Sequence, residues 1–226
     1  MTTSYTYSRL REKTSYLNPS DALLEDRISP ADRPHRFTFA GVYELPVGRG
    51  LQFGKDMNRF LDLFIGGWQL NGTYEWQSGE PFLLTAANLF YAGDVTKLKS
   101  RLGQGDSQGG KYGIDRPAFD VAGFIALSSF SLRSVPTTLS NLRNQPYSVA
   151  NLSITKNFKL GEKKRLQVRG EALNAFNHPY FGNGMGLNPG SSSTVTATFA
   201  PQASFGVVTT QRNNPRDIQL GVKFVF

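Results

Sequence analysis

The stretch Pro215-Arg216-Asp217-Ile218-Gln219-Leu220-Gly221-Val222-Lys223-Phe224-Val225-Phe226 decides how the rest of the chain is read. Successive side chains of a β-strand point to opposite faces. Ile218, Leu220, Val222, Phe224 and Phe226 therefore share one face, and Asp217, Gln219, Gly221, Lys223 and Val225 the other. An apolar row of this length ending on an aromatic is the pattern of a strand in a transmembrane β-barrel, alternate residues toward lipid. In a soluble sheet it would form a sticky edge with neither charge nor cover. Pairing within a closed barrel removes that edge.

Composition agrees with this reading. Aromatics reach 12% of the 226 residues, glycines number 23, and no run of 18 apolar residues exists, so no transmembrane helix is expected. A barrel needs only alternate residues apolar, so modest hydrophobicity does not exclude the membrane. The absence of cysteine removes disulfide and thiolate chemistry. The formal net charge of +8 invites a nucleic-acid partner, but the charges are scattered through loops and alternate strand positions. Their densest run, Lys163-Lys164-Arg165, falls in a tight turn, so a solvated turn is favoured and no nucleic acid is expected. The first residues, Met1-Thr2-Thr3-Ser4-Tyr5-Thr6-Tyr7-Ser8, have no basic n-region, apolar h-region or cleavage site. They read as strand, so the chain is expected to lack a signal peptide and to be a piece of a longer exported protein or to start too far downstream.

Period-two alternation predicts six strands, at 2–12, 35–45, 66–78, about 148–160, about 164–175, and the terminal stretch. In the third, Trp68, Leu70, Gly72, Tyr74 and Trp76 oppose Gln69, Asn71, Thr73, Glu75 and Gln77, the cleanest alternation in the chain. Trp68 and Trp76 are eight residues apart, roughly 26 Å along a strand and roughly 20 Å across a membrane at a 40° tilt. That height suits an aromatic girdle made by Trp68, Tyr74 and Trp76. Lys156 falls on the apolar parity near a strand end, where it can snorkel to the interface. The polar parity supplies Arg36, Glu44, Glu75, Gln167, Arg169, Glu171, Asp217, Gln219 and Lys223. As a set these are expected to face a lumen or a plug, although any one of them is more simply a solvated interior residue.

The predicted class is therefore all-β: an antiparallel transmembrane β-barrel segment of about six strands, an incomplete barrel, with long extracellular loops. Residues 160–164 form a short turn, and a connection of about 20 residues containing 57–65 is suited to a short amphipathic helix. The connections 13–34, 79–147 and 176–214 are longer and rich in Gly, Ser, Asn and Pro. In outer-membrane barrels short turns are periplasmic and long loops extracellular, which puts Phe226 at the periplasmic end. Strands entering from long loops are introduced by Arg33-Pro34, Arg143-Asn144-Gln145-Pro146 and Arg212-Asn213-Asn214-Pro215, a weak hairpin repeat with Pro at equivalent rim positions. Strands leaving end at Glu80-Pro81-Phe82 and His178-Pro179-Tyr180.

Several motifs in order carry a family resemblance. They are Asp32-Arg33-Pro34-His35-Arg36-Phe37 running to Tyr43-Glu44-Leu45-Pro46-Val47-Gly48, Gly66-Gly67-Trp68-Gln69-Leu70, and Gln77-Ser78-Gly79-Glu80-Pro81-Phe82. They continue with Lys156-Asn157-Phe158 and Leu166-Gln167-Val168-Arg169-Gly170-Glu171-Ala172-Leu173-Asn174-Ala175-Phe176-Asn177-His178-Pro179. Together these resemble the C-terminal barrel portion of TonB-dependent receptors, most nearly the Oar-like group. The likeness spans nearly the whole chain except 83–140. It implies a location in the cell outer membrane and solute uptake by the parent protein, residues 1–226 being its C-terminal barrel segment and 79–147 one long extracellular loop. The implied partners are outer-membrane lipid, the N-terminal barrel and plug of the same receptor, the barrel-assembly machinery, and TonB through that N-terminal part. The resemblance also implies that Ile218, Leu220, Val222, Phe224 and Phe226 carry the barrel-assembly signal. Plug, energy-coupling box and most strands of the family pattern are missing from the chain, so it is not expected to transport alone.

No enzymatic activity or cofactor is expected. His35 and His178 both sit beside rim motifs, and neither a zinc spacing nor a Gly-x-Ser-x-Gly elbow occurs. Gly182-Asn183-Gly184-Met185-Gly186 lacks the Lys-Ser/Thr ending of a phosphate loop. The rival reading is a secreted or surface β-sheet binding or adhesion protein, with its aromatic rows buried between two sheets. Solubility without detergent would distinguish it. An outer-membrane esterase barrel would need a catalytic constellation that the sequence does not display.

Overall fold

The computed structural model describes residues 1–84, 89–105, 107–127, 131–160, 164–181, 205–208 and 210–226. In chain order the strands are β1 (Thr2–Tyr7), β2 (Arg11–Glu12), β3 (Arg27–Ile28) and β4 (His35–Glu44). Helix α1 (Arg59–Ile65) precedes β5 (Trp68–Gln77), β6 (Pro81–Leu83), β7 (Leu89–Tyr91), β8 (Phe124–Ala126) and β9 (Thr138–Arg143). The chain closes with β10 (Tyr147–Lys159), β11 (Arg165–Leu173) and β12 (Asp217–Val225). Six of these form one antiparallel sheet in the order β1-β4-β5-β10-β11-β12, each paired with its neighbour, as the alternation predicts. The sheet is not closed: β1 and β12 are its two edges. Among the described residues no helix is long and apolar enough to cross a membrane, which says nothing about strands.

Register carries the parity of each strand across the whole sheet. Tyr5 lies opposite Phe37, Phe37 opposite Trp76, and Trp76 opposite Ser148. In the middle, Gly72 pairs with Leu152, Leu152 with Ala172, and Ala172 with Ile218. Because a one-residue slip would turn a strand's apolar set to the other face, five pairings in phase make one continuous apolar surface. Leu220, Val222 and Ile218 are 86%, 72% and 66% exposed on it, so nothing among the described residues covers it there.

Several predicted strands are shorter than expected, the fifth spanning Arg165–Leu173, and for two of them the local reason is plain. The first, read as 2–12, ends at Tyr7. The Pro34 carbonyl accepts from the Ser8 amide at 2.9 Å, and the Asp32 carboxylate then captures the Leu10 amide at 2.6 Å. This diverts Arg11 and Glu12 into a separate ribbon with β3. The third, read as 66–78, begins at Trp68 because Gly66 caps α1, its amide donating to the Asp62 carbonyl, and Gly67 takes a φ of 70°. The helix expected within 57–65 spans Arg59–Ile65, with the Asn58 side chain capping the Leu61 amide. The terminal strand ends at Val225, and Phe226 follows it, its ring 6.0 Å from that of Phe224.

The compact hydrophobic core lies outside the sheet. Residues of the 79–147 connection carry β6 to β9, and Phe82, Leu84, Leu89, Phe119, Phe124, Leu139 and Leu142 pack there with Phe205 from the last long connection. Phe119 meets Phe82, Phe124 and Phe205 at ring-centroid distances of 5.6, 5.8 and 5.5 Å. This cap follows the end of the sheet at Gln77 and Tyr147, opposite the Phe226 end. The turn residues 161–163 and the Gly182–Gly186 stretch lie outside the described residues.

Candidate functional site

The polar face of the sheet brings together the residues read as a lumen set. Arg36 Nη2 and Glu75 Oε1 form an ion pair at 2.8 Å between β4 and β5, and Arg169 and Glu171 pair at 2.5 Å along β11. Asn71 Nδ2 donates to Ser153 Oγ at 3.1 Å, and Gln167 Nε2 to Asn157 Oδ1 at 3.0 Å. Glu44 stands opposite Gln69, Gln219 opposite Glu171, and Lys223 opposite Gln167, while Gln219 Nε2 donates to Asp217 Oδ2 at 3.0 Å. All nine predicted residues thus occupy one face, and their partners are largely one another and neighbouring amides. Such exposed pairs contribute little stability each, so their effect is to keep the face polar and wet.

The opposite face carries aromatics at both ends of the strands. At the cap end, Phe37 and Tyr74 lie 6.2 Å apart beside Trp76, and the Tyr5 hydroxyl bonds His35 Nδ1 at 2.8 Å. At the Phe226 end, Trp68 pairs with Lys156, whose ammonium sits 5.0 Å from the Trp68 ring centroid and 5.2 Å from that of Phe158. The same ammonium donates to the Gly66 carbonyl. A cation on the apolar parity therefore reaches the sheet's end, stacking its charge on aromatic faces.

Between sheet and cap lies a rim cluster, and here the three Arg-Pro motifs meet. Arg143 Nη2 bonds Asp32 Oδ2 at 2.7 Å, and the Asp32 side chain is fully buried. Arg33 pairs with Glu80, Arg212 Nη1 lies 3.9 Å from the same carboxylate, and Asn144 Nδ2 donates to it at 3.4 Å. The Glu80 side chain is 3% exposed. Gly79 lies so near the Asn144 carbonyl that a Cβ would overlap it. Asn174, at a φ of 46°, accepts the His178 amide at 3.0 Å and donates to the Asn214 carbonyl at 3.1 Å, tying the end of β11 to the entry of β12. Tyr180 rests against Tyr147 beside this cluster, and burial first, then the Glu80 charge, raises its phenol above the ordinary range.

The sequence showed these arginines as repeated punctuation but did not show their shared acceptors. Asp32 and Glu80 stood within quoted motifs without a role. The signal available was an acidic residue beside two of the rim motifs, Asp32 before Arg33 and Glu80 before Pro81, which is weak without the fold.

An open antiparallel sheet with an apolar, aromatic-edged face, a wet charged face and a folded cap at one end defines the wall of a membrane β-barrel. The chain matches the outer membrane beta barrel domain family over residues 1–219 and belongs to it. No curated protein and no solved structure matches it. The protein is therefore an outer-membrane barrel protein.

Proposed function

We propose that this chain is a wall sector of a TonB-dependent receptor that takes up solutes across the outer membrane. The observation that carries the reading is the split of the six-stranded sheet into a mainly aliphatic and aromatic face and a face bearing Arg36, Glu75, Arg169, Glu171 and Lys223. The polar face is the lumen side, wet enough for a solute path and charged enough to meet a plug. Further strands of the receptor continue from the β1 and β12 edges and close the barrel. The row Ile218, Leu220, Val222, Phe224 and Phe226 is the assembly signal delivered from the periplasmic end. The motifs of the resemblance also build the rim cluster, which gives them a structural reason for occurring together.

The test uses cells making the protein from its whole gene, with cysteine placed at Gln167 or Glu171. Labelling by a small membrane-impermeant maleimide is expected, and its rate is expected to change when the inner membrane is de-energised or TonB is removed. A rate indifferent to both would leave a passive barrel and overturn the receptor reading.

A further inference from the structure

The connection between β4 and β5 leaves the sheet at its Phe226 end and carries apolar side chains that stay exposed among the described residues. Helix α1 has no buried residue, and Phe60 and Phe64 are 71% and 58% exposed with their rings 5.3 Å apart. Leu61, Leu63 and Ile65 are exposed too, as is Phe53 before the helix. At 100° per residue, Phe60, Phe64, Leu61 and Ile65 share one side, with Arg59 and Asp62 opposite. A water-facing turn gains nothing from such a stripe.

Two bonds fix where the helix hangs. Trp68 Nε1 donates to the Phe64 carbonyl at 2.9 Å, and Lys156 donates to the Gly66 carbonyl. Both donors are on the apolar parity of the sheet, so α1 is tethered to the outward side of the wall and not to the polar side. Its stripe is continuous with a surface that an outer-membrane barrel turns to lipid. Arg49, Lys55 and Arg59 against Asp56 and Asp62 leave the segment with a small positive excess, to which Lys156 adds. A short amphipathic helix with aromatics on one side and cations beside them matches the boundary between headgroups and acyl chains.

We infer that residues 51–65 form an interfacial anchor, with Phe53, Phe60 and Phe64 inserted at the headgroup boundary of the leaflet at the Phe226 end. The ligand is the phospholipid surface itself: acyl chains for the rings, phosphate for the cations. The anchor fixes the depth of the wall at that end, where Lys156 and Trp68 already mark the interface. The inference rests on the membrane reading of the sheet.

The chain has no cysteine, so single nitroxide labels can be placed on the full chain at Phe60, Phe64 and Phe53. Leu220 serves as a lipid-facing reference and Leu23, 82% exposed, as a water reference. In vesicles of phosphatidylethanolamine and phosphatidylglycerol, labels at 60, 64 and 53 are expected to collide more with oxygen than with a water-soluble nickel chelate, at a depth shallower than Leu220. Nickel access equal to that at Leu23 would overturn the anchor, and so would shielding from both reagents, the mark of a protein partner on the stripe. A water-like Leu220 label would instead overturn the membrane reading and the anchor with it. The position at Phe53, off the helix, keeps the test standing if a helix variant does not insert.

Discussion

Replacing Glu80 with alanine should release the rim more than any single change to the arginines around it. The carboxylate is 3% exposed and is shared by Arg33, Arg212 and Asn144. Breaking a buried ion pair costs about 3–5 kcal/mol because a charge is left without a partner. Arg33 is 29% exposed, so water recovers part of that cost and the lower end, about 3 kcal/mol, is expected. At 1.36 kcal/mol per tenfold, this raises the locally open population about 150-fold. Glu80→Gln keeps the shape and an acceptor oxygen and loses the charge, for about 1.5 kcal/mol. Arg212→Ala removes a 3.9 Å contact from a side chain that is 52% exposed and should cost less than about 1 kcal/mol. Limited trypsin digestion of the folded protein, followed at the Arg143-Asn144 bond, reads the series, because that rim site is present in every variant. Cleavage follows the open population when closing outpaces cutting, so the rates should rank Ala, then Gln, then the Arg212 variant. Equal rates for Glu80→Ala and Arg212→Ala would refute the idea that the buried carboxylate organises the cluster.

Three further outcomes follow from the same geometry. Gly79→Ala should force the Asn144 carbonyl away and break the 2.8 Å bond from the Asn144 amide to the Glu80 carbonyl, costing about 2 kcal/mol or more. Faster hydrogen exchange at Asn144 checks it. Phe119→Ala should cost about 3–5 kcal/mol in the cap, which depends on that ring meeting Phe82, Phe124 and Phe205. Cap amides should lose protection while β10 and β11 amides keep theirs. Burial and the Glu80 charge favour the neutral phenol of Tyr180 in the folded state. Its contribution should be complete below the ordinary tyrosine value of about 10 and be lost as pH rises through the raised one. A Tyr180→Phe difference titration of tyrosinate absorbance, beside an alkaline melt, checks both halves.

The wall was legible in the sequence because each strand announces itself by its own alternation. Leu166, Val168, Gly170 and Ala172 against Arg165, Gln167, Arg169 and Glu171 need no partner to be read, and register merely brings the rows into line. The shortening of the first strand was not legible. The alternation of Thr3, Tyr5 and Tyr7 lapses at Arg9 and Leu10, but the contact that ends the strand, Asp32 accepting the Leu10 amide from a distant turn, has no mark in the sequence. The cap was hidden for a similar reason: β6, β7 and β8 have three residues each, too few to show a period. Its aromatic core is assembled from Phe82, Phe119, Phe124 and Phe205, scattered along a glycine-rich stretch. At the candidate site, side-chain parity was readable and convergence was not. Arg33, Arg143 and Arg212 looked like three copies of one edge signal, and only the folded rim brings them to Asp32 and Glu80.

The outward face of the sheet is the central claim, and a cysteine scan of β12 tests it most directly. Single labels from Asp217 to Phe224, read in phospholipid vesicles, should show oxygen accessibility rising and falling with a period of two. Ile218, Leu220, Val222 and Phe224 should report lipid, and Asp217, Gln219, Gly221 and Lys223 water. Uniform water access, or burial of the apolar positions from both reagents in a protein soluble without detergent, would contradict the account.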